Sequence, residues 1–328
     1  MAQKKVLILG ATGETGGSIV DGLLEAGKFE VSALVRPSSV EKPAVQALRD
    51  RNVDIRVADI TTDSVETLAQ TLSDIHTVIS AIGPDAQLAQ LRLVDAAKAA
   101  GVKRFVPCGF TTVAPPGGVM MIRDEKETVY QHIWKLYLPY TIIDVGFWHQ
   151  LSFPRLPSGR IDYASLFSSP PTFYGDPDMP TAVTDLRDVG RYVARIIEDD
   201  RTLNQKVFAY GDVITQRGAA ELVEKLSGEK IGSINHVTSS ELLATIDSFK
   251  ATTDPTDTDT SLSRLYQLIS AQYNYSKFVR GDNQPDRAAY LGYLDGRKLY
   301  PDFEPISFEA FLKEVVDGKA KRPYVGRF

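Results

Sequence analysis

Val6-Leu7-Ile8-Leu9-Gly10-Ala11-Thr12-Gly13-Glu14-Thr15-Gly16-Gly17 stands at the head of the chain, and the fold turns on how it is read. Four apolar residues have the length and side-chain types of a buried strand. Directly after them, glycines at 10, 13 and 16 open a stretch with helical spacing that closes near Gly27. In a strand-turn-helix unit each glycine has its own task. Gly10 permits the tight turn, Gly13 lets backbone amides approach an anion, and Gly16 lets the helix lie close against the strand. A glycine pattern alone is a weak signal, and here the flanking strand and helix make it specific. It predicts a pyrophosphate site bordered by Gly10, Thr12, Gly13, Glu14, Thr15 and Gly16. The competing reading is a glycine-rich turn that serves packing alone.

Outward from this unit, short apolar runs at 31–35, 53–57, 77–82, 105–107 and 141–145 alternate with segments of helical periodicity. Leu88, Leu91, Val94 and Ala97 share one helical face, and Gly101 stands where a C-cap would. This βαβ order predicts an α/β protein with a doubly wound parallel sheet of the Rossmann type. Beyond about residue 147 the alternation stops, and prolines and glycines at 154–159 and 170–180 suggest irregular connections. The expected organisation is a dinucleotide-binding domain at 1–150 and a smaller substrate-binding lobe at 151–328, which can return a strand and helix to the first core. Helices are expected at 185–198, 215–226 and 307–316, and an exposed loop at 252–260, dense in Thr and Asp. A ligand should bind where the lobes meet, outside the carboxyl ends of the strands.

Composition narrows the function classes. The 328 residues are 43% hydrophobic and 24% charged, ordinary for a globular chain, which argues against disorder and coiled coil. A formal net charge of -5 offers no general attraction for nucleic acid. Cys108 is the only cysteine, so no intramolecular disulfide can form, and His76, His132, His149 and His236 lack metal-ligand spacing. No apolar run approaches the roughly 20 residues of a membrane span. The expectation is a cytosolic protein with neither metal nor membrane partner.

After the second expected strand comes Leu34-Val35-Arg36-Pro37. A carboxylate at this place would favour the ribose hydroxyls of NAD, whereas the Arg36 guanidinium can pair with a 2'-phosphate, and Lys42 adds a second positive charge. The predicted cofactor is therefore NADPH. Asp59, Ser80, Ala81 and Ile82 follow the third and fourth strands, placed to border adenine and the nicotinamide-side ribose or to serve as ordinary strand ends.

Together these stretches resemble the isoflavone-reductase-like, NmrA-like branch of atypical short-chain dehydrogenases. The resemblance also rests on Val78-Ile79-Ser80, Lys103-Arg104-Phe105-Val106-Pro107, Leu138-Pro139-Tyr140-Thr141, Phe173-Tyr174-Gly175-Asp176, Asp188-Val189-Gly190 and Asp200-Arg201-Thr202-Leu203-Asn204, and it covers most of the chain. It implies NADPH-dependent reduction of aromatic secondary metabolites such as isoflavones, lignans and phenylcoumaran benzylic ethers. Some relatives bind dinucleotide as regulators without turnover, and would then need a protein partner. A dehydratase, cyclase or isomerase on the same fold is a further alternative. The protein is expected as a monomer or homodimer. The family's catalytic lysine maps onto Lys126, which together with Phe110 would also touch the cofactor. A lysine there could relay a proton as hydride is transferred; spacing alone favours a solvated helix-start residue beside Asp124 and Glu125. The chain departs from the family at Pro107-Cys108-Gly109-Phe110-Thr111, which lacks an acidic residue, and at Gly146-Phe147-Trp148-His149-Gln150. Phe110, Phe147, Trp148 and Phe153 could wall an aromatic substrate pocket or belong to the core, and His149 could orient a substrate oxygen or be structural. Tyr273 and Lys277 have the YxxxK spacing of ordinary short-chain dehydrogenases, but lie so far downstream that they are read as peripheral.

Overall fold

Buried β-strands and amphipathic helices alternate along the first half as the hydrophobic pattern requires. The computed structural model describes residues 3–166, 169–251 and 258–325. In chain order the first half is β1 (Lys4–Leu9), α1 (Glu14–Ala26), β2 (Phe29–Val35), α2 (Pro43–Arg49), β3 (Asp54–Val57), α3 (Val65–Thr71), β4 (Thr77–Ser80), α4 (Gln90–Ala99), β5 (Arg104–Val106), α5 (Met121–Lys135) and β6 (Thr141–Asp144). The remainder is β7 (Phe147–Trp148), β8 (Thr172–Tyr174), β9 (Thr181–Thr184), α6 (Leu186–Glu198), β10 (Gln205–Phe208), β11 (Asp212–Ile214), α7 (Gln216–Ser227), β12 (Asn235–Val237), α8 (Ser239–Ala251), α9 (Thr258–Tyr275), α10 (Pro285–Tyr290), β13 (Tyr293–Asp295), α11 (Gly296–Leu299) and α12 (Phe308–Val316).

The first five strands pair in parallel in the order β3-β2-β1-β4-β5. A parallel bridge from Phe105 to Tyr140, with the Phe105 amide donating to the Pro139 carbonyl at 2.8 Å, carries the sheet from β5 to β6. Beyond it β10 and β13 add in parallel. Two strands from the second half of the sequence thus complete the sheet begun by the first. Side chains on β1 alternate faces: Val6 and Ile8 enter one core with Ile19, Leu23, Tyr192 and Ile196, while Leu7 and Leu9 enter another with Val78, Leu93, Phe105 and Ile133.

The rest of the second half builds a smaller lobe. In it β9 pairs with β7 and, antiparallel, with β11, while β8 and β12 form a separate parallel pair. Leu156, Ile161, Val223, Phe308, Phe311 and Leu312 fill its core. The expected loop at 252–260 is only partly open to description: residues 252–257 lie outside the described residues, and α9 begins at Thr258, inside the stretch read as loop. Asp and Thr at that point belong to the first turn of a helix, a position they favour as readily as a loop. Among the described residues no helix is long and apolar enough to cross a membrane.

Helices α1 and α6 meet backbone to backbone. The Ser18 hydroxyl donates to the Leu186 carbonyl at 2.5 Å and accepts from the Gly190 amide at 3.0 Å. A Cβ on Gly190 would stand 1.7 Å from the Ser18 carbonyl oxygen, and one on Gly22 would stand 2.2 Å from the Gly190 carbonyl carbon. Only glycine fits at this crossing. Gly190→Ala should force the helices apart and lower stability by about 3 kcal/mol, the upper range for overpacking. Urea denaturation would register this as a lower midpoint with an unchanged slope.

Candidate active site

The site grows from the turn after β1. Gly10 has φ +85°, and a Cβ there would lie 2.3 Å from the Ala81 carbonyl oxygen, so the turn is pressed against the end of β4. At Gly16 a Cβ would stand 2.0 Å from the Gly10 carbonyl oxygen, which is why α1 can begin directly over the strand. Gly13 is the extended N-cap of α1 and supplies no side-chain cap, leaving first-turn amides available to an anion. Thr12 is exposed, and Thr15 is half-buried beside it. The Glu14 carboxylate accepts the Tyr324 amide at 2.7 Å, and the Tyr324 ring stacks on Trp148. A C-terminal segment therefore lies over the glycine turn, a contact with no signal in the local sequence.

Leu9 and Leu34 are paired, so the ends of β1 and β2 lie side by side and Arg36 follows two residues on. Arg36 and Lys42 are exposed, and among the described residues neither forms an ion pair. Asp59 turns inward to its own loop, where the Thr61 amide donates at 2.9 Å and the Thr61 hydroxyl at 2.6 Å. Thr61, with a smaller contribution from the Arg36 charge, holds the Asp59 carboxyl below the usual range. Ser80 is fully buried with no partner for its hydroxyl, while Ala81 and Ile82 are half-buried beside the glycine turn and the Cys108 thiol.

The loop leaving β5 is bent by Phe110, whose φ of +50° is unusual for a bulky residue. Its amide donates to the Ile143 carbonyl at 2.6 Å. The bend points successive carbonyls at Lys126, which enters from α5. The Lys126 ammonium donates to the Cys108 carbonyl at 2.6 Å, the Gly109 carbonyl at 3.2 Å and Gln87 Oε1 at 3.2 Å. It is 3% exposed, so the solvated helix-start reading is set aside. Burial pulls its pKa below the ordinary lysine value, and the nearby Cys108 partly opposes this. Gln87 and Gln90 were not singled out from the sequence. Gln90 accepts the Cys108 amide at 2.9 Å, and two glutamines on the same helical face as Val94 and Ala97 were the available signal.

Behind the loop lies a buried ion pair. Arg123, one turn before Lys126, donates to Asp144 at 2.8 Å and to the Thr112 carbonyl at 2.8 Å. Asp144 also accepts the Tyr293 hydroxyl at 2.6 Å and the Thr111 amide at 3.3 Å. Both ionic side chains are 1% exposed or less.

Phe110 and Trp148 are buried in the core that holds Val6, Ile8 and α1, whereas Phe147, next to Trp148 on β7, packs at the edge of the smaller-lobe core and on Tyr273. His149 and Phe153 face elsewhere. Their rings pack on Phe311 in the core of the smaller lobe, so neither reaches Lys126. Burial lowers His149 to about 4, keeping the ring neutral, and its Nδ1 stands 3.9 Å from the Asp185 carboxylate. Tyr273 and Lys277 correct the peripheral reading. The Tyr273 hydroxyl bonds the Thr111 hydroxyl on the same loop as the Lys126 acceptors, and its ring lies 5.7 Å from that of Phe147. Spacing could not show this, because α9 returns from more than a hundred residues away only in the tertiary fold.

A parallel sheet in this order, with a glycine turn at the end of its central strand, defines a Rossmann-type α/β protein. Its relatives specify the branch. The profile of the NmrA-like family matches residues 2–312, and the chain belongs to that family. The chain is 41% identical over 317 residues to asnovolin J 5',6'-dehydrogenase of Aspergillus novofumigatus, covering 95% of each. It is 26% identical over 336 residues to bifunctional pinoresinol-lariciresinol reductase 2 of Thuja plicata, covering 95% of this chain and 98% of the relative. The leucoanthocyanidin reductase–NADPH complex of Vitis vinifera has a similar fold, with a TM-score of 0.78 at 23% identity, over 95% of this chain and 99% of that one.

Removing one partner of the Arg123–Asp144 pair leaves a buried charge uncompensated. Asp144→Ala should cost about 3–5 kcal/mol in chemical denaturation, whereas Arg123→Met with Asp144→Leu should recover most of that loss.

Proposed function

We propose that the chain is an NADPH-dependent oxidoreductase acting on an aromatic or conjugated small molecule, of the isoflavone, lignan or phenylcoumaran kind, with Lys126 as proton donor or relay. The observation that carries this reading is the buried Lys126 ammonium at the loop leaving β5, on the sheet edge that also bears the glycine turn. The dinucleotide fits the chain's own groups. Glycine at 10 and 16 lets the turn pack on β4 and α1 start over β1, Gly13 caps α1 without a side chain over its first-turn amides, and among the described residues Arg36 and Lys42 offer charge without a competing ion pair. When bound, the nicotinamide supplies hydride or takes it up.

The protein's part is orientation and proton handling. All three Lys126 N–H groups already have oxygen acceptors, so reaching a substrate oxygen requires exchange of one of them. Gln87 is the side-chain acceptor of the three, so its exchange leaves the backbone in place but must also break its bonds to the Gly83 carbonyl and Gln90, whereas the Cys108 and Gly109 carbonyls are fixed by the loop. Those carbonyls hold Nζ in place while the proton moves. Phe110, Phe147 and Trp148 offer apolar surface to a flat substrate and limit access of water. Reductases among the relatives support this direction. A second reading, oxidation of the substrate, is favoured by the 41% identical relative being named a dehydrogenase.

NADPH should bind at least tenfold more tightly than NADH, roughly 1.4 kcal/mol or more, and Arg36→Asp should abolish the preference. Equal affinities of the unaltered protein in calorimetric titration would sink the NADPH assignment.

Lys126→Ala should lower turnover by about a hundredfold or more while leaving NADPH affinity nearly unchanged. The direction of the reaction has its own signature. A proton donor must be charged, so the reduction rate should fall as pH rises through the Lys126 pKa, which burial holds below the ordinary lysine value. In oxidation the neutral amine accepts the proton, and the rate should rise over the same range. Steady-state rates of nicotinamide absorbance change, measured across pH with an aromatic enone and with its saturated counterpart, distinguish the two. A limb that persists in Lys126→Ala would exclude this lysine from the proton step.

A further inference from the structure

Lys277 lies in a π-helical turn, Ser276–Arg280, that ends α9 and is closed by Gly281 at φ +66°. Such turns recur at functional sites. The local carboxylate, Asp282, is already engaged: the Ser276 hydroxyl donates to it at 2.8 Å and Arg280 at 2.9 Å. Lys277 is 3% exposed and, among the described residues, its ammonium has neither a carboxylate nor a hydrogen-bond acceptor. Two aromatic rings face it instead, with Nζ 3.4 Å from the Phe147 centroid and 4.6 Å from that of Phe278. Burial lowers its pKa to about 7. Buried cations are ordinarily paired, and among the described residues this one has no anion to pair with.

Its place in the fold indicates what could supply the partner. Tyr273, one helical turn earlier on the same face, packs on Phe147 and bonds Thr111. The Thr111 carbonyl accepts the Val145 and Gly146 amides, both at 3.1 Å, which joins the loop after β5 to the turn after β6. Lys277 and Tyr273 therefore cover the carboxyl ends of β5 and β6, where open α/β sheets take their ligands. Lys126 reaches the same loop from α5. The surface groove of about 300 Å³ between α5 and α9 is a separate feature, lined by Met121, Asp124, Glu125 and Gln272 among others and by none of Lys277, Tyr273 and Phe147.

We propose that Lys277, with the Tyr273 hydroxyl beside it, binds an ionised oxygen of the small-molecule substrate, a carboxylate or a phenolate, while the Phe147 ring contacts the apolar body. The substrate class is thereby narrowed to acidic aromatic or conjugated compounds. This rests on the oxidoreductase reading for what then happens to the ligand, but binding alone tests the ion site.

Cinnamate, neutral cinnamamide and 4-nitrophenol serve as probes in calorimetric titrations of the NADPH-saturated protein, one unit below and one unit above neutral pH. Cinnamate should bind roughly tenfold or more tightly than cinnamamide at the lower pH, and the gap should narrow at the higher pH as Lys277 loses its proton. Lys277→Met should erase the preference and Lys277→Arg should keep it, with NADPH affinity unchanged in both. Thermal melting of each variant checks its fold. Tighter binding of cinnamate identifies a carboxylate site. Binding of 4-nitrophenol that is lost in Lys277→Met, with cinnamate weak, identifies a phenolate site. Equal affinity for cinnamate and cinnamamide with no phenolate effect, or a preference that survives Lys277→Met, overturns the proposal. Failure of NADPH to bind would overturn the redox reading alone, since the probes can be titrated without it.

Discussion

The Arg123–Asp144 pair is the interaction on which the arrangement of the site depends. It joins four pieces of the fold at one point: α5 through Arg123, β6 through Asp144, the loop after β5 through Thr111 and Thr112, and β13 through the Tyr293 hydroxyl. A buried ion pair is not by itself a strong source of stability, because removing two charges from water offsets most of their attraction. Its value here is positional. With Asp144 saturated by three donors, the loop has one low-energy path, and that path turns the Cys108 and Gly109 carbonyls toward Lys126.

Much of the first half was legible because its physics is local. A four-residue apolar run, three glycines at fixed steps and a helix stop at Gly27 each depend on neighbours in sequence. The same holds for Gly101, which takes φ +71° one residue past Ala100, the C-cap of α4, where a left-handed residue ends a helix. Legibility fell where contacts are distant. The strands β10 and β13 are short, and only their pairing with β6 and with each other makes them strands. His149 and Phe153 looked like Phe147 and Trp148, because four neighbouring residues of similar chemistry carry no sign of which side they will face. The chain divides them: Phe147 meets Tyr273, Trp148 meets Tyr324, and the next ring turns into the smaller lobe. Tyr273 was misjudged for the opposite reason, since its distance along the chain was taken for distance in space.

Two buried lysines border one loop, and the fold treats them differently. Lys126 is surrounded by oxygen acceptors that fix its position, while burial lowers its pKa. Lys277 is surrounded by carbon, with only ring faces to attract its charge. The first environment favours a steady proton position, and the second leaves charge dependent on what approaches. That contrast follows from their elements: α5 presents its residue to a bent loop rich in exposed carbonyls, whereas the π-helical turn after α9 spends its polar groups on Asp282.

The order in which the sheet is assembled has a consequence for synthesis. Arg123 and Asp144 are 21 residues apart and can meet as soon as β6 leaves the ribosome, but Tyr293 lies 149 residues from Asp144. Until β10 is made, β6 is an open edge whose Ile142 and Ile143 belong in a core. An unpaired apolar edge of that kind invites pairing with other nascent chains, and closing long-range parallel strands is slow. The vulnerable interval for this protein therefore falls in mid-translation, between the emergence of β6 and the docking of β13, and it is there that a chaperone would have the most to cover.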